Sequence, residues 1–106
     1  MRTRRRYLAL KIDCDREITG RKLVEAIWNA VIQLFGECGA SKVMVGLVAY
    51  NAVEGAAIIR TAQASLVMTR TAIASITEID SEPAAIHVLR VSGTIKTLIE
   101  KAKAQS

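Results

Sequence analysis

Strand patterns and helix patterns alternate along this chain of 106 residues, and their order limits the folds that it can adopt. Apolar and more polar side chains alternate over residues 6 to 14, which is the period of a half-buried β-strand. The chain from Thr19 or Asp15 to about Phe35 carries two adjacent apolar stripes at helical spacing, so we predict a helix with a wide apolar face. Gly36 and Gly39 favour the end of that helix.

Further elements follow this first strand and helix. They are a valine-rich strand, the second strand of a hairpin, a second long helix, a fourth strand and a final helix, which we predict over residues 42–50, 55–60, 62–77, 84–91 and 94–104, respectively. The order β-α-β-β-α-β-α predicts an α+β domain of the ferredoxin-like or RRM-like β-α-β-β-α-β type. We expect a four-stranded antiparallel sheet with two helices on one face, and an extra helix at the C-terminus.

The balance of charge is basic and is concentrated at the N-terminus. The chain has 15 basic and 10 acidic residues, which gives a formal net charge of +5. We expect residues 6–106 to form one domain, preceded by a basic arm over residues 1–5. The arginines at or beside this arm are Arg2, Arg4, Arg5 and Arg6. Such a cluster is typical of contact with a phosphate backbone, although a solvated terminus is the alternative.

The cysteines and the hydropathy pattern indicate the compartment. Cys14 and Cys38 form no C-x-x-C pair, and reduced thiols are typical of a cytoplasmic protein. No apolar run approaches the roughly 18 residues that a membrane-spanning helix needs. The N-terminus also lacks the apolar core of a secretory signal. We therefore expect a cytoplasmic protein with no membrane partner.

The stretch from Arg90 to Lys96 is typical of a strand that ends directly before a capped helix. Ser92 or Thr94 can cap the helix start, and Gly93 permits a turn or a close approach of another group. The two basic residues then flank free backbone N–H groups at a helix N-terminus, where a phosphate would fit. The alternative is that Ser92 only caps the helix and that both charges are solvated.

The second face of the predicted sheet is expected to contact another protein or the extra helix. The middle strands are apolar on both faces, and an exposed apolar area of that extent usually marks an interface. The candidate interface residues are Tyr7, Val45, Leu47 and Ile58 of the strands, together with Trp28 of the first helix. Lys11 is expected to project from the same face as Tyr7.

Neither base-stacking readout nor catalysis is expected from the residue types present. RNA-recognition modules stack bases on two or three aromatics of the central strands, but aromatic residues make up only 4% of this chain. The third strand carries Ile58 and Ile59 instead. His87 is the single histidine, and no phosphate loop or metal-ligand spacing is present. We predict no catalytic residue, no metal site and no cofactor, and any RNA contact should use charge and shape.

Several segments taken together resemble a known family. They are residues 6–10 in the first strand, 25–28 in the first helix, 59–60 in the hairpin, 76–79 before the turn, and 89–96. The chain is similar to the archaeal ribonuclease P protein component 2 family, the counterpart of the eukaryotic Pop-five subunit. The resemblance extends from Arg6 to about Lys103, and its most specific part is the segment 89–96.

The resemblance implies a non-catalytic subunit of the ribonucleoprotein that removes 5′ leaders from precursor tRNA. In that complex the RNA is the catalyst and Mg²⁺ belongs to the RNA. The implied partners are ribonuclease P RNA, precursor tRNA indirectly, the TIM-barrel-like protein component 3, and a second copy of the chain. The expected RNA-contacting residues are Arg2, Arg4, Arg5, Arg6, Lys11, Arg60, Arg90, Ser92 and Lys96. The alternative is a small-ligand-binding regulatory domain, because the fold does not choose the function.

Overall fold

The computed structural model describes residues 5–43 and 45–93, with only the backbone described over 38–43. The elements in chain order are β1 (Arg5–Cys14), α1 (Gly20–Val43), β2 (Gly46–Asn51), β3 (Ala56–Ala62), a short 3₁₀ helix (Gln63–Ser65), α2 (Leu66–Ser75), β4 (Glu78–Ile79) and β5 (Glu82–Ser92). The strands form one antiparallel sheet in the order β2-β3-β1-β5-β4. The α+β class is confirmed, but the predicted count of four strands is wrong because the sheet has five.

The additional strand, β4, is too short for its periodicity to be visible in the sequence. Glu78 and Ile79 pair with the first residues of β5 across a tight turn at Asp80 and Ser81. Both turn residues have left-handed backbone conformations, with φ values of 53° and 68°. This is the geometry of a two-residue hairpin turn whose twist matches that of its strands.

The helices differ in length from the predicted ones. The Thr19 side chain caps α1, because its Oγ1 accepts a hydrogen bond of 3.2 Å from the backbone N–H of Lys22. Gly36 interrupts α1 with a φ of 76°, but the predicted end of the helix at Gly36 and Gly39 is wrong, because helical backbone resumes and continues to Val43. Strand β2 therefore begins at Gly46 rather than at residue 42.

Helix α2 occupies Leu66–Ser75, shorter than the predicted 62–77, because β3 and the 3₁₀ helix take up its first residues. The predicted final helix over 94–104 lies outside the described residues. Within the described ranges, neither helix is both long and apolar enough to cross a membrane.

The core lies between the sheet and the two helices. The predicted alternation of β1 is confirmed, since Leu8, Leu10 and Ile12 are all buried. Their partners include Ile27 of α1 and Ile59 of β3, which are both fully buried. These contacts leave the opposite surface of the sheet, which we call the open face, without a helix of the described chain against it.

A β-bulge in β5 changes which residues of that strand face the core. Ala9 pairs with Arg90, whereas Leu10 pairs with Val88, so Leu89 has no partner in β1. Leu89 is 59% exposed, as expected of an extra residue in a strand. The alternation of faces is therefore reversed after this point.

Candidate nucleic-acid interface

Basic side chains collect on the open face because of the strand register. Residues directly opposite each other in antiparallel strands share a face, and successive residues alternate between faces. Because Leu8 and Leu10 point to the core, Tyr7 and Ala9 belong to the open face. The cross-strand partner of Tyr7 on β3 is Arg60, and the partner of Ala9 on β5 is Arg90.

The register thus brings together residues that are far apart in the sequence. The open face carries two further basic residues of β1, Arg5 and Lys11, at positions that alternate with the buried leucines. All four basic side chains are exposed. We call this set the cationic face, and its members are Arg5, Lys11, Arg60 and Arg90.

The bulge at Leu89 is required for the position of Arg90. Ile86 and Val88 lie before the bulge and pair with Ile12 and Leu10, which face the core. In an uninterrupted strand, Arg90 would share the face of these apolar residues. The extra residue at Leu89 instead places the Arg90 side chain on the open face.

The arginines of the cationic face have no carboxylate partner within the described part of the chain. The ion pairs found there join Arg16 to Glu82, Arg21 to Glu25, and Lys22 to Asp80. None of them involves Arg5, Arg60 or Arg90. The Lys11 ammonium group donates a hydrogen bond to the backbone carbonyl of Glu54. Cations without counter-charges on one face attract polyanions to that surface.

The acidic residues of the open face lie beyond Lys11, at the end away from the three arginines. Asp13 is the open-face residue of β1 beyond Lys11, and Glu78 pairs with Pro83 at the far edge. Arg5 and Arg60 stand at the end where β1 begins. The face is therefore polarised, and its positive end is the better position for a phosphate chain.

The other predicted RNA-contacting residues have different positions. Arg6 lies on the helix-facing side of β1 and is half-buried, with its guanidinium close against the backbone of Gly93. Ser92 is the partner of Tyr7 on β5 and is half-buried on the open face. Arg2, Arg4 and Lys96 lie outside the described residues, and so does the predicted helix start at residue 94.

The predicted partner-interface residues are divided among three places. Tyr7 and Ile58 are half-buried on the open face. Trp28 is partly buried against the core, and Val45 is buried within it at 9% exposure. Leu47, at 37% exposure, lies near the start of α1, against Gly20. The structure thus brings only two of these five residues together.

Gly46 is a residue whose role the sequence pattern did not indicate. It pairs with Arg60, and a Cβ atom at this position would lie 2.9 Å from the Arg60 Nε atom. The Arg60 side chain therefore extends across the backbone of β2. A glycine beside the valine-rich segment was the available signal, since glycine in a strand often marks a close approach.

The described residues offer no grouping for metal binding, and the cavities are not typical ligand pockets. No set of three or more His, Cys, Asp or Glu side chains in the described ranges is placed to hold a metal ion. A cavity of about 300 Å³ lies between the end of β1 and the β2–β3 turn. Charged residues of both signs, including Asp15, Arg16 and Glu54, line it, whereas ligand pockets are predominantly apolar.

Tyr50, which borders this cavity, gives the fold a dependence on pH. Its hydroxyl donates a hydrogen bond to the backbone carbonyl of Ile18. Burial, followed by the nearby Glu17 and Cys14, raises the pKa of Tyr50 above its ordinary value of 10.0. The unfolded chain therefore loses this proton more readily than the folded one.

We expect the stabilisation from Tyr50 to be complete below pH 10 and to be lost as the pH rises through the folded-state pKa. Urea unfolding at pH 8 to 11 would measure this loss. The matched control is Tyr50→Phe, which should be less stable at pH 8 and should show a shallower decline above pH 10. An equal decline in both proteins would contradict the assignment.

Comparisons with known proteins give the relatives of this chain. The model of the Rpp14/Pop5 family matches residues 6–103. Ribonuclease P protein component 2 of Pyrococcus furiosus is 31% identical over 105 residues, which cover 99% of this chain and 88% of that protein. The protein of the same name from Methanococcus aeolicus is 33% identical over 101 residues, covering 95% of this chain and 73% of that protein.

A solved structure has the same fold. A chain in the cryo-EM structure of yeast ribonuclease MRP superposes with a TM-score of 0.74 and covers 99% of this chain and 95% of its own length. The two sequences are 15% identical, so this likeness concerns the fold alone.

Proposed function

The chain belongs to the Rpp14/Pop5 family, and on this premise we propose that it is a non-catalytic protein subunit of ribonuclease P that binds the RNA through the cationic face. One observation carries the RNA-binding part of this proposal. The strand register gathers basic residues from β1, β3 and β5 onto one surface, where the arginines have no carboxylate partner among the described residues. Phosphate groups are the natural counter-charges for such a surface.

The proposed task of the cationic face is to reduce repulsion within the folded RNA. Each arginine that contacts a phosphate releases condensed counterions and neutralises part of the local negative charge. Protein cations can then replace some of the Mg²⁺ that the RNA otherwise needs to hold its helices together. This supports 5′-leader removal from precursor tRNA without any catalytic group in the protein.

We propose protein component 3 and a second copy of the chain as the protein partners. Partly exposed apolar residues outside the open face, such as Leu47 and Phe35, are suitable for such contacts because each is 37% exposed. The cationic face itself is less suitable for an apolar protein surface, because burial there would leave its arginines without a counter-charge.

Reconstitution would test the proposed function. The chain, ribonuclease P RNA and protein component 3 are combined, and leader cleavage of precursor tRNA is measured at decreasing Mg²⁺ concentration. We expect this chain to lower the Mg²⁺ concentration required for half-maximal cleavage. The control omits the RNA and should show no cleavage. If the Mg²⁺ requirement is unchanged, or if the protein alone cleaves, the proposal is wrong.

A further inference from the structure

Tyr7 occupies the middle of the cationic face, with an arginine on either side. Its partner on β3 is Arg60. On the other side, Arg90 of β5 lies opposite Ala9, the next open-face residue of β1. The Cβ atoms of directly opposite residues are about 5 Å apart and those of diagonal residues about 7 to 8 Å, so the two arginines originate on either side of a ligand that rests on the tyrosine ring.

Tyr7 is half-buried, and two of its neighbours on the open face are small. Ala9 follows on the same strand and Ser92 stands opposite on β5, and both are small. Arg60 extends across Gly46 toward the sheet edge, where the absent Cβ atom makes room for it. Within the described ranges, the Tyr7 ring makes no contact with another ring, and no hydrogen bond to its hydroxyl is found.

A nucleotide matches this arrangement better than a protein segment does. Every base offers a π-face that stacks on an aromatic side chain, and the adjoining phosphates extend to either side of the base. A protein segment would bury the two arginines without the strong acceptors that they require. One ring is too few to read a sequence, but it is sufficient to hold one unpaired base.

We propose that Tyr7 is a stacking platform for a single unpaired base of RNA, with Arg60 and Arg90 bound to phosphates on its two sides. This inference rests on the proposed function, since it names the element of the RNA that the cationic face prefers. It predicts a preference for single-stranded segments, such as loops and bulges, over continuous duplex. Because every base can stack, the preference should be independent of base identity.

The test uses the full chain and a single-stranded RNA of twelve nucleotides with 2-aminopurine at its centre. Stacking on Tyr7 should change the fluorescence of this base on binding. We expect Tyr7→Leu to remove that change and to weaken binding of the single strand about tenfold. Tyr7→Trp keeps an aromatic platform, so it should bind the single strand at least as tightly as the native chain. Its retained binding would show that the position tolerates substitution and that the leucine variant loses binding because it lacks a ring.

The matched control is a duplex RNA of the same length, in which no base is available for stacking. Tyr7→Leu should bind the duplex with unchanged affinity, and its salt dependence on the single strand should also be unchanged because tyrosine has no charge to lose. An equal loss on both RNAs, or an unaltered fluorescence change, would overturn this inference alone. If the native chain binds neither RNA, the proposed function itself is refuted.

Discussion

Replacing Arg60 and Arg90 together with glutamine is expected to weaken RNA binding about 100-fold at low salt. Hydrogen bonds to charged groups contribute about 1.5 to 3 kcal/mol each, so each lost contact should cost at least about tenfold. The two residues lie on strands that flank β1 and make separate phosphate contacts, so their effects should be nearly additive. The slope of log affinity against log salt should decrease by about two.

A second double variant, which has the same net charge as the first, separates the effect of the cationic face from the effect of net charge. Arg16→Gln combined with Arg70→Gln also removes two positive charges, but neither residue lies on the open face. Both side chains are exposed, and the Arg16–Glu82 ion pair, at 3.4 Å, should contribute little to stability. Filter binding at two or more salt concentrations measures the RNA affinity of the native chain and of both double variants. Equal losses in the two double variants would show that net charge alone drives binding.

Ile59→Ala should produce the largest loss of stability among single substitutions in β3, about 2 to 5 kcal/mol. Ile59 is completely buried and pairs with Leu8 on one side and Leu47 on the other. Removing its side-chain atoms leaves a cavity that the sheet and helices can fill only in part. Urea unfolding with linear extrapolation measures the free energy of unfolding.

Ile58, the residue before Ile59, supplies the control for Ile59→Ala. Ile58 has the same side chain in the same strand, but it faces the open side and is only half-buried. Ile58→Ala should therefore cost about 1 kcal/mol. If the two alanine variants unfold at the same urea concentration, the assignment of the two faces of β3 is incorrect.

The sequence was sufficient to predict the elements with strong periodicity. The alternation of β1, the hairpin and the cap at Thr19 all have local causes, and the structure has each of them. Strand β4 was missed because two residues have no measurable period. The start of β2 was placed too early because the valine-rich composition continues into the last turn of α1.

The candidate interface was only partly predictable. Lys11, Arg60 and Arg90 were each expected to contact RNA, but their common surface depends on pairing between distant strands, which no local pattern specifies. Arg6 was grouped with Arg5, although one residue of difference places it on the other side of β1. Val45 was expected at an interface, whereas its burial places it in the core.

The unpaired residue at Leu89 affects how this chain can be compared with its relatives. Before it, even-numbered positions of β5 belong to the core, and after it they belong to the open face. At about 30% identity, an alignment that shifts a gap by one position here would match core residues with surface residues. Whether a relative carries the counterpart of Arg90 is therefore decided by counting outward from its own bulge, not from the start of its strand.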